Sequence, residues 1–189
     1  EPPPGDNMTI RNTIVALMCV LGIAFGSTQG EAASGAALDA QARGTMDRFF
    51  DTVGGARELS SKAQAILVFP SVVKAGMGIG GEYGEGVLYE RGAANGYYNV
   101  VSASVGFQLG VQSRSVIIMF MTPEALRSFR KTKGFKIGVD GSVAIITVGV
   151  GGSIDTARIT QPVIGFVLDP KGLMYNLTLE GSKISRISK

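Results

Sequence analysis

Glycine is the residue that most restricts the fold of this sequence, because it recurs between short apolar runs from Gly76 onward. The chain has 189 residues and 27 of them are glycine, about twice the usual proportion. No Gly-X-Y period is present and 45% of the residues are hydrophobic, which excludes a collagen-like or disordered chain. Glycine inside a strand marks a bulge or a close approach of two backbones. The sequence therefore predicts a folded, glycine-rich β domain.

Helices are predicted from the spacing of apolar residues and from a helix-start signal. Apolar residues recur every three or four positions over 38–53, and the glycine pair at 54–55 ends that helix. A shorter helix is expected over 56–62. Thr122, followed by proline and an acid, is typical of an N-cap, which predicts a further helix over 123–131.

Strands are predicted for most of the remaining chain, where β-branched and aromatic runs alternate with turn residues. The predicted strands are 65–69, 87–89, 97–101, 105–111, 115–121, 136–139, 143–150, 163–168 and 173–179. The Asp-Pro-Lys-Gly sequence at 169–172 is expected to form the turn of the last hairpin. We predict a single α+β domain: a mainly antiparallel sheet with N-terminal helices and one mid-chain helix.

The first 32 residues have the features of an export signal. Arg11 precedes an apolar run over 14–25, which is shorter than the ~20 residues that cross a bilayer as a helix. Small residues follow, and cleavage after Ala32 or Ala33 is the preferred interpretation. The residues before Met8 are interpreted as a misplaced start or an expression remnant. We therefore predict a leader over 1–32, a domain over 33–189, and an exported, periplasmic protein that is soluble or attached to the membrane.

Cys19, the single cysteine, offers a second interpretation of the leader, as a lipoprotein signal in which this residue is lipidated. Met18 is bulky where such signals have a small residue, and the run stays apolar beyond the cysteine. Both features disfavour lipidation. Removal of the leader would leave a domain without cysteine, which suits an oxidising compartment without needing disulfides.

Absent residue types and incomplete motifs argue against catalysis. The chain has no histidine, which removes the usual general base, His-centred triads and histidine metal ligands. The G-x-G-x-x-G at 76–81 is followed by the acidic, turn-like 82–86 instead of a helix, so a glycine-punctuated strand is favoured over a dinucleotide site. We predict no enzyme, no cofactor and no metal site.

Two weaker alternatives remain open at this point. Ser71 and Lys74 have the S-x-x-K spacing of serine acyl enzymes, but the S-D-N and K-T-G partner motifs are absent. Glu82 and Glu85 are a carboxylate pair of the kind that binds a cation or shares a proton. Acids in a turn are usually solvated, so we assign no active site to this pair.

The strongest charge feature is a run of five cations within 127–136 that contains two phenylalanines and no acid. The candidate lipid-binding residues are Arg127, Arg130, Lys131, Lys133 and Lys136. Each cation near an anionic membrane contributes about 1 kcal/mol. In the alternative interpretation, which is slightly favoured, these cations lie at the C-terminal end of a helix, where the helix dipole favours them, and Phe129 packs in the core. A second cluster contains Lys183, Arg186 and Lys189, and a face shared by both clusters would favour the membrane interpretation.

Several segments occur in an order that resembles the SYLF-domain family: 61–70, 74–88, 105–112 and 179–182. The resemblance implies a lipid-binding domain, because eukaryotic members bind phosphoinositides and, in yeast, actin filaments. Exported bacterial members are described as lipid-binding proteins or lipoproteins. Animal members use an N-terminal basic amphipathic helix, whereas 38–53 is net acidic here, so that residue set is not transferred.

We therefore expect an exported, non-enzymatic domain that binds anionic phospholipid or membrane surfaces through the cluster at 127–136. Residues 1–32 carry one cation and three acids, so their removal would raise the net charge from +3 to +5, which is still too small to indicate a nucleic-acid partner. The alternative is a structural or protein-interaction domain of the cell envelope, with an envelope protein partner or self-association.

Overall fold

The computed structural model describes residues 35–148, 152–156, 159–171, 179 and 181–189, with side chains described except at 77–79, 104–110, 147–148 and 169–171. Residues Ala33–Lys189 belong to one compact unit. The predicted leader, Cys19 and most of the predicted strand 173–179 lie outside the described residues, so export and lipidation stay predictions. No helix within the described ranges is long and apolar enough to cross a membrane.

Three helices lie in the described chain where the sequence predicts them. α1 spans Gly35–Thr52, α2 spans Ala56–Lys62 and α3 spans Pro123–Lys131. Between the first two helices, Gly55 has a φ of 81°, a left-handed conformation that glycine adopts without strain. The side chain of Thr122 accepts a hydrogen bond, 3.2 Å long, from the backbone N–H three residues later. This bond confirms the predicted N-cap.

Two long antiparallel strands form the centre of the sheet. β1 spans Ala65–Glu90 and β2 spans Ala93–Phe120, and they pair along almost their whole length. The boundaries of the separate strands predicted within them are therefore wrong, because glycines and bulges bend a strand without ending its hydrogen bonding. One register shift lies between Met77 and Gly78, which confirms 76–81 as a glycine-punctuated strand with an irregularity.

Four shorter strands complete the described sheet: β3 (Phe135–Lys136), β4 (Ala144–Val148), β5 (Val163–Lys171) and β6 (Lys183–Ile187). β2 pairs with β1, β5 and β6, and β3 pairs with β6. These pairs are antiparallel, and only β4 and β5 are parallel among the described strands. The α+β class with a mainly antiparallel sheet is confirmed. The predicted turn at 169–172 is wrong for 169–171, which continue β5, and β6 has no counterpart among the predicted strands.

The long hairpin curls back on itself at glycines of β1. A Cβ atom on Gly86 would lie 2.5 Å from the carbonyl oxygen of Val68 and 2.6 Å from Cδ1 of Phe69. A Cβ atom on Gly84 would lie 2.8 Å from the carbonyl oxygen of Ser71. Because these carbonyl groups belong to the first half of β1, the two halves of one strand are in direct contact. A side chain at either position would push them apart.

The curled sheet has an apolar cluster on each face. The inner cluster lies within the curl and against α3, and includes Leu67, Phe69, Val116, Ile118, Phe120 and Phe129. The outer cluster lies between the opposite face and the helices α1 and α2, and includes Leu38, Ala42, Phe49, Ile117, Met119 and Phe166. The predicted apolar face of α1 is thus directed at the sheet.

Substitution of Gly86 by alanine is expected to lower the free energy of unfolding by about 1–3 kcal/mol, because the added methyl group overlaps a backbone carbonyl oxygen. Urea denaturation followed by circular dichroism measures this loss. Gly44→Ala is the control, since Gly44 lies in α1 with no atom within 4 Å of an added Cβ. Helix propensity predicts that this control gains up to about 1 kcal/mol. Unchanged stability of Gly86→Ala would contradict the close approach.

Candidate functional site

The two phenylalanines of the basic run are buried in the inner cluster. Phe129 is 2% exposed and Phe135 is 3% exposed. The ring centroid of Phe129 lies 4.7 Å from that of Phe120, 5.1 Å from that of Tyr98 and 5.5 Å from that of Phe135. These contacts confirm the interpretation of Phe129 as a core residue. They anchor α3 to the sheet, and the cations of the run remain on the surface.

All five predicted lipid-binding cations are exposed. Arg127, Arg130 and Lys131 lie in α3, Lys133 follows the helix, and Lys136 lies in β3. Cations in the last turn of a helix are favoured by the helix dipole, which accounts for Arg130 and Lys131. The dipole does not account for Lys133 and Lys136, because both lie beyond the helix.

Two of the five cations have carboxylate partners. Arg127 donates to Glu124 at 2.6 Å, and Arg130 forms an ion pair with Glu90. In the part of the chain that the structure describes, no ion pair involves the other three, Lys131, Lys133 and Lys136. The carboxylate of Asp140 accepts a hydrogen bond, 2.7 Å long, from the backbone N–H of Lys136 and forms no ion pair with its ammonium group among the described contacts. The unpaired lysines are therefore the cations most available to an external anion.

The second basic cluster lies beside the first, because β3 pairs with β6. The register places Phe135 opposite Ile184 and Lys136 opposite Lys183. An added Cβ at Gly134 would overlap the side chain of Lys183, so this lysine reaches the loop between α3 and β3. Lys183 thus joins the cations of the first cluster on one surface.

A cleft of about 840 Å³ lies between α3 and the sheet. Arg130 and Lys133 line it from the helix side, Arg186 lines it from β6, and the rings of Tyr98 and Phe129 contribute to its wall. Six cations of α3, the loop after it, β3 and β6 are called the basic surface, and three of them, Arg130, Lys133 and Arg186, line the cleft. The other three are Lys131, Lys136 and Lys183.

Tyr98 lines the cleft and is not among the residues predicted to bind lipid. Burial raises the pKa of its phenol, and the positive charge of Arg186 lowers it to a smaller extent. The phenol is therefore neutral near pH 7, and the described residues that line the cleft include no carboxylate. Residue alternation within the predicted strand 97–101 is the signal that could have placed Tyr98 on the inner face.

Ser71 and Lys74 are not brought together. They lie three residues apart in β1, where the side chains alternate between faces. Ser71 is exposed and its Oγ lies 3.2 Å from Oγ of Ser113, whereas Lys74 is 8% exposed. The S-x-x-K spacing activates a serine on a helical turn, so the strand removes the geometry that acyl transfer would need.

Glu82 and Glu85 each have a cation as partner. Nη2 of Arg114 donates to both carboxylate oxygens of Glu82, at 2.9 and 2.8 Å, in a pair whose side chains are 1% and 2% exposed. Glu85 accepts from Nζ of Lys189 at 2.7 Å. Lys189, from the second basic cluster, is thereby neutralised. The described residues contain no group of three or more His, Cys, Asp or Glu side chains placed to hold a metal ion.

This chain is similar to a known protein family and to a known vertebrate protein. A family model described as "Ysc84: Las17-binding protein actin regulator" matches residues 101–189. SH3 domain-containing YSC84-like protein 1 of Xenopus laevis is 26% identical over 127 residues, which are 65% of this chain and 38% of the relative. The chain therefore spans well under half of that relative's length. The residues matched by the family model include α3, β3, β6 and the whole basic surface.

Proposed function

We propose that this chain, whose residues 101–189 match the Ysc84 family model and whose glycine motifs resemble the SYLF-domain family, binds anionic phospholipid surfaces without catalysing a reaction. The family is one of lipid- or protein-binding domains. The separation of Ser71 from Lys74 across the two faces of β1 supports the absence of acyl-transfer chemistry.

The observation that carries this proposal is the convergence of the two basic clusters. The pairing of Lys136 with Lys183 joins the run at 127–136 to the C-terminal strand. Five of the six cations of the basic surface have no carboxylate partner among the described side chains: Lys131, Lys133, Lys136, Lys183 and Arg186. With about 1 kcal/mol for each cation close to an anionic membrane, such a surface binds vesicles without an inserted helix.

The lipids that the domain meets depend on whether residues 1–32 direct its export. If residues 1–32 direct export, the anionic lipids that the domain meets are phosphatidylglycerol, cardiolipin or lipopolysaccharide. The basic surface recognises the phosphate groups that these lipids share. Its buried phenylalanines supply no apolar anchor of their own, so this part of the contact is electrostatic and weakens as salt increases.

A second candidate function is binding to a protein of the cell envelope or to a second copy of the chain. The family description, which names a Las17-binding protein, supports this candidate. It predicts a mass that rises with protein concentration in light scattering, and no dependence of binding on lipid charge.

The lipid proposal is tested by co-sedimentation with vesicles. Simultaneous change of Lys131, Lys133 and Lys183 to glutamate is expected to weaken binding to phosphatidylglycerol-containing vesicles by roughly 100-fold, because three cations that each contribute about 1 kcal/mol are lost. Binding of the parent protein should rise with the fraction of anionic lipid and fall with salt.

In the matched control, three exposed cations of α1 and α2 are changed to glutamate: Arg43, Arg57 and Lys62. The net charge then changes by the same amount as in the test variant. This control should bind vesicles almost as the parent does. Equal binding of the parent protein to neutral vesicles, or equal weakening in both triple variants, would overturn the assignment of the basic surface.

A further inference from the structure

A row of exposed side chains crosses four strands next to the basic surface. The register places Tyr83 of β1 opposite Val101 of β2, Val101 opposite Lys183 of β6, and Lys183 opposite Lys136 of β3. Directly opposite residues of neighbouring strands project from the same face of a sheet. Tyr83 is 50% exposed and Val101 is 44% exposed. The row therefore runs from an aromatic ring through an aliphatic side chain to two cations.

Among the described side chains, Glu85 is the acid on the sheet face around the apolar end of this row, and Lys189 pairs with it. Along β1 and β2, the other exposed residues on the same face include Ser71 and five small or apolar residues: Val73, Ala75, Gly81, Ala103 and Val111. Val111 is 67% exposed and Val73 is 41% exposed. The helix α1 packs on this face farther along the hairpin, at Tyr89, whose hydroxyl donates to Asp39 at 2.7 Å. The region near Tyr83 is left uncovered by the described helices.

Glu85, the acid beside Tyr83, is neutralised in place. The hydroxyl of Tyr83 donates to Oε1 of Glu85 at 2.8 Å, and Nζ of Lys189 donates to Oε2 at 2.7 Å. Burial, followed by the bond to Glu85, raises the pKa of Tyr83 to about 12, so its ring is uncharged near neutral pH. An anionic surface that approaches this end of the row therefore meets Glu85 as a paired carboxylate, not as a free negative charge.

We infer that Tyr83 and Val101 enter the boundary between headgroups and acyl chains of an anionic bilayer, while Lys136 and Lys183 contact the lipid phosphates. Tyrosine suits this boundary because its ring is apolar and its hydroxyl is polar. Cations in the same row draw the face towards anionic lipid, and the adjoining small residues let the sheet lie close to the membrane. This inference rests on the proposed function and adds an apolar contact to it.

The absence of tryptophan from the chain gives a direct test. A Tyr83→Trp variant has a single fluorescent reporter in the row, and a Ser61→Trp variant places the same reporter at an exposed position of α2 as control. With vesicles of equal phosphatidylglycerol and phosphatidylcholine, emission of Tyr83→Trp should move to shorter wavelength. Lipids brominated on the acyl chains should quench it. The Ser61→Trp variant should show neither effect.

The outcomes separate this inference from the proposed function. Salt-sensitive co-sedimentation with unshifted, unquenched emission of Tyr83→Trp would overturn insertion and leave electrostatic binding intact. Absence of co-sedimentation for the parent protein would overturn the proposed function itself. A blue shift that depends on protein concentration without vesicles would also overturn insertion, because the row would then be a contact between two copies.

Discussion

Replacement of Glu82 by glutamine is expected to lower the free energy of unfolding by about 3–5 kcal/mol, because it leaves a buried guanidinium without its counter-charge. Arg114 and Glu82 are almost completely buried as a pair. Lys74 is also buried, at 8% exposure. The variant would therefore leave two buried cations with no buried acid among the described residues. Chemical denaturation at constant pH and salt measures the loss.

The geometry of Arg114 explains why this loss should be large. Its Nη2 makes both bonds to Glu82, while its Nε and Nη1 have no hydrogen-bond partner among the described atoms. No other described carboxylate bonds to it, and the neutral amide of glutamine cannot balance its charge.

A double variant supplies the control. Replacing Glu82 by leucine together with Arg114 by methionine removes both charges, and such replacements of a buried pair are often neutral or stabilising. The double variant should therefore be more stable than Glu82→Gln. A loss below about 1 kcal/mol in Glu82→Gln, typical of an exposed pair, would show that the pair is accessible to water.

Replacement of Phe129 by alanine is expected to cost about 3–5 kcal/mol, the usual range for a large aromatic residue removed from a core. Its ring contacts three other aromatic rings, and it fixes α3 against the sheet. Vesicle binding should fall as well, because the variant loosens the helix that carries Arg130 and Lys131 while every cation is still present. Thermal unfolding and co-sedimentation on the same samples test both effects.

Phe129→Leu is the control for this variant, since it keeps most of the buried volume. It should lose less stability and retain most of the binding. Lost binding with unchanged stability in Phe129→Ala would contradict a purely structural role of this ring in fixing α3 against the sheet.

Local signals in the sequence predict the helices and the fold class. The residues that form the face of α1 and the cap of α3 interact within one or two turns, so their spacing is sufficient. Strand boundaries were predicted less well, because a glycine can bend a strand as well as end it. β6 was missed for another reason. Ile184 is the one fully buried residue of this short strand, so its apolar pattern is weak. The segment is a strand because it pairs with β2.

The sequence by itself determined which residues are cationic, which catalytic motifs are incomplete and where glycine permits backbone contact. These properties belong to residue types and short spacings. Only the tertiary structure decided which cations are neutralised, that Lys136 faces Lys183, and that Tyr83 continues their row across the sheet. The reason is physical: strand pairing joins residues far apart in the chain, and the register of each pair selects the face on which a side chain lies.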